Sequence, residues 1–152
     1  MPVNKAVSEE PLAFSLLTEI GIIEQLSSNI LEQGLPDGLK LSQFVVLHHF
    51  CRLGGDWNPV RLANAFQVTK GAMTNTLQRL EKRGLVTIRP NPCDGRGKLV
   101  SITKAGRDMR KQCIKSVDPV IASLSEKIAR EDLLVALSVL ENIRKRLDTN
   151  RP

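Results

Sequence analysis

The chain has 152 residues, 41% of them hydrophobic and 25% charged, with a net charge of +6; that is enough for one domain with a core of its own. Aromatic residues make up only 3%, with no Tyr, too few for a sugar-binding cleft or a platform on which single-stranded bases stack. No run approaches the roughly 18 apolar residues of a membrane span, and the opening MPVNKAVSEEPLAF lacks the apolar stretch of a secretory leader, so a cytoplasmic location is expected.

In chain order, apolar residues at Leu12, Leu16, Ile20, Ile23 and Ile30 keep the helical period, with Phe14, Leu17 and Ile22 on a second flank. A helix apolar on two flanks is expected to meet another element or another chain. Gly34 and Pro36-Asp37-Gly38 end it. Ser42 is expected to cap a second helix that carries Phe44, Val45, Leu47, His48 and Cys51 to about Leu53. Gly54-Gly55-Asp56 reads as a turn. Asn58-Pro59 starts a short third helix, because the Asn side chain can accept an orphan N–H and proline at the first helical position loses no hydrogen bond. Val60, Leu62, Ala63 and Phe66 form its apolar side.

Gln67-Val68 makes a tight turn, and Thr69 caps a fourth helix with Met73, Leu77 and Leu80 inward and Gly84 at its end. Leu85–Arg89 and Lys98–Ile102 are expected strands of a β-hairpin around a turn region from Asn91 to Gly97. Thr103 caps a fifth helix that Asp118-Pro119 should kink or break, and a last helix from about Glu131 carries Leu133, Leu137, Leu140 and Leu147 at near-heptad spacing. The expected class is mainly α with a small β-hairpin wing and about six helices.

Charge is unevenly spread. Residues 1–57 hold three basic and seven acidic side chains, residues 58–110 eleven and three, and residues 111–152 eight and six. A basic middle is the footprint of a module that binds a polyanion. Helix, short helix, turn, helix and hairpin is the order of a winged helix-turn-helix. On the fourth helix, opposite its apolar stripe, Lys70, Thr74, Gln78 and Lys82 share one row, with Gly71, Asn75 and Arg79 beside them. Asn and Gln suit adenine edges, Arg and Lys guanine, and Thr a thymine methyl. Catalytic patterns are missing: Gly95-x-Gly97 lies inside the hairpin instead of between a strand and a helix, and no G-x-S-x-G elbow occurs. No enzyme activity, cofactor or metal is expected. Cys51, Cys93 and Cys113 are odd in number and widely spaced, which suits neither a disulfide framework nor a zinc cage.

Residues 58–106 resemble the MarR family of winged helix-turn-helix transcriptional regulators. The resemblance is carried by Arg61-Leu62-Ala63, Val68-Thr69-Lys70-Gly71-Ala72, Leu80-Glu81-Lys82-Arg83-Gly84-Leu85-Val86, Asp94-Gly95-Arg96 and Val100-Ser101-Ile102-Thr103-Lys104-Ala105-Gly106. It implies a homodimeric regulator of promoter DNA, with Thr69, Lys70, Gly71, Thr74, Asn75, Gln78, Arg79 and Lys82 on the recognition helix. On the wing, Arg96 would enter the minor groove, held by Asp94, and Lys98 would meet a phosphate. Residues 1–40 and 107–152 would supply dimerisation helices, through Leu12, Leu16 and Ile20 and through Leu133, Leu137, Leu140 and Leu147, around a DNA-binding domain at 41–106. The alternatives are a winged helix serving protein contact, or sequence-neutral DNA binding.

Members of the family are commonly switched by a small molecule, by cysteine oxidation or by metal. The chain departs from the peroxide-sensing branch, having no Cys before Cys51 and no Tyr. Cys51 reads as a small buried hydrophobe and Cys93, in the wing turn, as the more reactive thiol. His48 and His49 alone fall short of a metal-sensing set. A small-molecule effector is therefore expected, in a pocket lined by His48, Cys51, Arg52 and Met109.

Overall fold

The computed structural model describes residues 10–149, so most of the opening on which the expectation of no leader rests lies outside them. Seven α-helices and one antiparallel hairpin follow one another: α1 (Leu12–Gly34), α2 (Leu41–Leu53), α3 (Pro59–Phe66), α4 (Lys70–Lys82), β1 (Val86–Asn91), β2 (Asp94–Ile102), α5 (Lys104–Ser116), α6 (Asp118–Lys127) and α7 (Arg130–Thr149), with a 3-10 turn at Pro36–Gly38. This is the mainly α winged helix-turn-helix expected, with one helix more. The extra helix arises at Asp118-Pro119: α5 stops at Ser116, Val117 leaves helical geometry, and the proline sits in the first turn of α6, where its missing N–H costs nothing. The described residues form two compact units that divide between Ser116 and Val117.

Local chemistry sets the boundaries. Asn58 Oδ1 accepts the Val60 N–H at 2.7 Å at the head of α3, and Thr69 Oγ1 accepts the Ala72 N–H at 3.1 Å at the head of α4. Between these helices Gln67 takes the left-handed conformation (φ 54°) that reverses the chain in one residue. Helix α4 ends in paired hydrogen bonds, Gly84 N–H to the Glu81 carbonyl and Leu85 N–H to the Leu80 carbonyl, with Gly84 at φ 70°. This is the closure that a glycine after the last turn permits.

The start of α2 differs from expectation. Ser42 is not its cap: the helix begins at Leu41, the Lys40 N–H donates to Gln43 Oε1 at 3.0 Å, and the Leu41 N–H donates to a carboxylate oxygen of Glu32 on α1. A distant carboxylate thus serves the orphan donor that a local hydroxyl would otherwise take.

The core of the first unit is built from Leu39, Phe44, Val46, Leu47 and Phe50 around α2, Leu62 and Ala63 of α3, Met73, Leu77 and Leu80 of α4, Leu85, Val86 and Val100 of the wing, and Cys113 of α5. The wing gains a backbone bridge that its sequence does not advertise. Trp57 exchanges both backbone hydrogen bonds with Val100 (3.0 and 2.9 Å), so the residue before Asn58 forms an isolated antiparallel bridge to β2. The Trp57 ring also packs edge-on against His49, centroids 4.5 Å apart, and lies under the Arg61 guanidinium at 4.7 Å.

Both histidines are made harder to protonate than a free imidazole. Burial, then the charges of Arg110 and Arg52, push His48 below its ordinary value; burial, then Arg52 and His48, does the same for His49. A histidine with a lowered folded-state pKa binds fewer protons folded than unfolded below about pH 6.5, so its contribution is complete above that pH and is lost as pH falls through the folded value. The urea midpoint is therefore expected to decline from about pH 7 towards about pH 5, and less steeply in His49→Gln. A midpoint flat over that range in the wild-type chain would contradict this assignment.

No helix among the described residues is long and apolar enough to cross a membrane. Helix α1 buries no residue, and Leu12 stays 80% exposed, Leu16 39%, with Ile20 half-buried. Helix α7 likewise buries none: Leu137, Leu140 and Leu147 are exposed and Leu133 is half-buried.

Candidate nucleic-acid interface

Helix α4 is two-faced because its apolar residues recur at the helical period. Met73, Leu77 and Leu80 are buried, which turns Lys70, Gly71, Thr74, Asn75, Gln78, Arg79 and Lys82 to solvent. Thr74 and Gln78 project into a cleft of about 570 Å³ whose far wall is the wing, with Arg96, Gly97 and Lys98, and whose end is the head of α3, with Asn58 and Pro59. Residues some 20 apart in sequence, on helix and wing, are thereby brought to one opening. Thr69, Lys70, Gly71, Asn75, Arg79, Lys82 and Asp94 do not line it. The Thr69 hydroxyl oxygen is the helix cap, and Asn75 Oδ1 accepts from Arg79 Nε at 3.2 Å on the neighbouring row.

The wing is longer than its sequence suggests. Asn91 pairs with Asp94 across a turn at Pro92-Cys93, whereas the next rung joins Pro90 to Lys98. Gly95, Arg96 and Gly97 are left as a bulge on β2, and bulges re-aim the side chains they carry. Asp94 Oδ1 accepts the backbone N–H of Arg96 at 3.1 Å. The carboxylate therefore holds the peptide of Arg96. A Cβ at Gly97 would lie 3.1 Å from Asp94 Oδ2, so a residue without a side chain lets this carboxylate fold inward.

Glu81, the lone acid of α4, has a place of its own: its Oε1 accepts the Ile88 N–H at 3.2 Å and ties the helix to β1. Periodicity could not have found this contact, nor the Trp57 bridge or the Asn58 wall of the cleft.

The four residues expected to line an effector pocket are differently placed. His48 Nδ1 accepts from Arg110 Nε at 3.3 Å and its ring stacks on Phe44, centroids 5.7 Å apart. Met109 packs against the core and Arg52 is exposed. Cys51 is exposed, not buried as expected, and borders a separate cleft of about 370 Å³ with Phe50, Gly54, Gly55, Asp56, Ser101, Ile102 and Arg107. The buried stripe of α2 ends at Phe50, and the last turn of the helix runs on past the core towards Gly54. Cys93 is exposed and Cys113 buried, with burial raising the Cys113 thiol. Among the described residues no group of three or more His, Cys, Asp or Glu side chains could hold a metal ion.

The model of the MarR family matches residues 37–97, the stretch from the 3-10 turn to the wing bulge. Over 95 residues the chain is 36% identical to the multiple antibiotic resistance protein MarR of Escherichia coli (strain K12), and equally to that of Salmonella typhimurium. Over its winged-helix segment the chain is thus similar to the MarR family. These matches take in 62% of the chain and 65% of each relative, so somewhat less than two thirds of the relatives' length is spanned. Structural likeness reaches further. The apo form of wild-type E. coli MarR superposes with a TM-score of 0.72 at 29% identity, covering 88% of this chain and 96% of that one. A variant of E. coli MarR complexed with operator DNA gives 0.70 at 28%, covering 88% and 99%. BldR of Sulfolobus solfataricus, at 24% identity and a TM-score of 0.75, shares the fold over 88% of this chain and 95% of its own. The match to the family model thus ends at the wing, while the likeness of fold extends over most of the chain.

Proposed function

We propose that the chain is a sequence-specific, double-stranded DNA-binding transcriptional regulator, acting in the cytoplasm as a homodimer on pseudo-palindromic promoter sites. The observation that carries this reading is the single cleft onto which Thr74 and Gln78 of α4 and Arg96 and Lys98 of the wing open, within a segment that holds eleven basic and three acidic residues. A major-groove helix beside a minor-groove arginine fits a duplex, and backbone charge supplies affinity while the helix face supplies selection. The likeness to a MarR variant that binds operator DNA supports the same reading.

Gln78→Ala is expected to change the preferred base at one position per half-site, whereas Lys82→Ala weakens all sequences alike and lowers the salt slope by about one. Competition binding against single-base operator variants separates these results; uniform losses for both would remove Gln78 from base reading.

The apolar faces of α1 and α7 support the homodimer, since exposed leucines at this density call for cover. The double substitution Leu137→Glu and Leu140→Glu is expected to turn a dimer into a monomer in sedimentation velocity; a dimer surviving it would place the interface elsewhere. Repression relieved by a small-molecule effector completes the proposal.

A further inference from the structure

Three polar side chains from three stretches of chain close on one another at the base of the wing. Ser101 Oγ donates to Asp56 Oδ1 at 2.5 Å, Arg89 Nη1 donates to Ser101 Oγ at 2.5 Å, and Arg89 Nη2 donates to Asp56 Oδ2. Each carboxylate oxygen has a partner, and the hydroxyl both gives and accepts. The placement follows from the sheet. Val86, Ile88 and Val100 face the core side, so Arg89 and Ser101 fall on the opposite face, and the Trp57–Val100 bridge sets Asp56 beside Ser101. Gly54 and Gly55, at φ 67° and 74°, let the chain turn sharply enough to deliver Asp56 there.

Arg89 is also one of the residues that border the cleft shared by Gln78 and Arg96. Its guanidinium, however, is engaged by Asp56 and Ser101. A cation beside the proposed DNA surface is thus held on an internal partner, and the partner directly precedes Trp57 and the Asn58 cap of α3. Ser101 and Arg89 hold the Asp56 carboxyl below its ordinary range, so the triad stays charged at any pH suited to DNA binding.

We infer that Asp56 is a specificity-determining residue: by engaging Arg89 and Ser101 it fixes the wing against the head of α3 and keeps the Arg89 charge off DNA phosphates. This inference rests on the DNA-reading assignment. A free Arg89 would add a contact of the kind that raises affinity for every sequence equally, while a looser wing weakens the contacts that depend on Arg96. Both effects lower discrimination. The pair is about half exposed, 46% for the Arg89 side chain and 41% for Asp56, and pairs so exposed add little to stability. Asp56→Asn is therefore expected to stay folded.

The test measures binding of the full chain, wild type and variants, to its selected duplex and to a random-sequence duplex across a salt series. Asp56→Asn is expected to lower the ratio of the two affinities by about three- to tenfold and to steepen the salt slope on the random duplex by about one. Asp56→Asn with Arg89→Gln should restore the wild-type slope, which a role confined to stability would not do. Ser101→Ala, which leaves Asp56 and Arg89 paired, should lower the ratio less and leave the slope unchanged; it keeps the inference testable if Asp56→Asn unfolds. An unchanged ratio in Asp56→Asn, or a steeper slope that survives Arg89→Gln, would overturn the inference with the DNA reading intact. Wild-type protein that binds neither duplex would sink both.

Discussion

Gly106→Ala is expected to lower the unfolding free energy by about 3 kcal/mol, at the upper end of what overpacking a core costs. A Cβ at this position would sit 2.1 Å from the carbonyl oxygen of Leu85 and 2.8 Å from Ile102 Cγ1. The nearer atom is backbone and is already committed: it accepts the Thr103 N–H at 3.1 Å. Thr103 Oγ1 meanwhile donates to the Gly84 carbonyl at 2.7 Å and accepts the Gly106 N–H at 3.0 Å. The first turn of α5 is thus joined to the glycine closure of α4, and a methyl group can enter only by parting them. Because that joint sets where the wing leaves α4, the variant should also bind DNA less well while still folded. Gly71→Ala is the contrasting case: no atom lies within 4 Å of its Cβ position, so helix propensity alone should make that variant about 0.5–1 kcal/mol more stable. Urea unfolding of the two variants checks both signs, and equal midpoints would show that the close approach at Gly106 is not held in solution.

Arg96→Ala is expected to reduce affinity for cognate duplexes by about 1–3 kcal/mol, more where the wing meets A·T-rich sequence than where it meets G·C. A narrow A·T minor groove concentrates negative potential, and an arginine carried on a three-residue bulge with its own peptide N–H fixed by Asp94 is poised to use it. Asp94→Ala should reproduce part of the loss, because it frees the bulge without removing the charge. Titration of matched duplexes that differ only under the wing decides the matter; equal losses on both would leave Arg96 a phosphate contact with no part in sequence choice.

Much of this architecture was legible in the residues. Side chains that act on their own neighbours within three positions announced themselves: Asn58, Thr69, Gly84 and Pro119 each stand where local chemistry required, and the α4 stripe of Met73, Leu77 and Leu80 determined which face is left for a ligand. What escaped the reading depends on partners far along the chain. Glu32 serves the head of α2 across nine residues, so Ser42 was the wrong cap. Trp57 joins Val100 across 43 positions, and a single bridging residue leaves no alternation to detect. Cys51 shares its helix with fully buried residues, yet the buried stripe ends at Phe50, the residue before it. The wing bulge was invisible because Asn91-Pro92-Cys93-Asp94 and Gly95-Arg96-Gly97 read equally well as one long turn.

The most direct test of the DNA-reading account is a selection from random double-stranded DNA by the purified protein at roughly physiological salt, with the retained pool sequenced. The account predicts a two-fold-symmetric motif whose half-sites are about one helical turn apart. An unenriched pool, bound in a way that vanishes as salt rises, would contradict it.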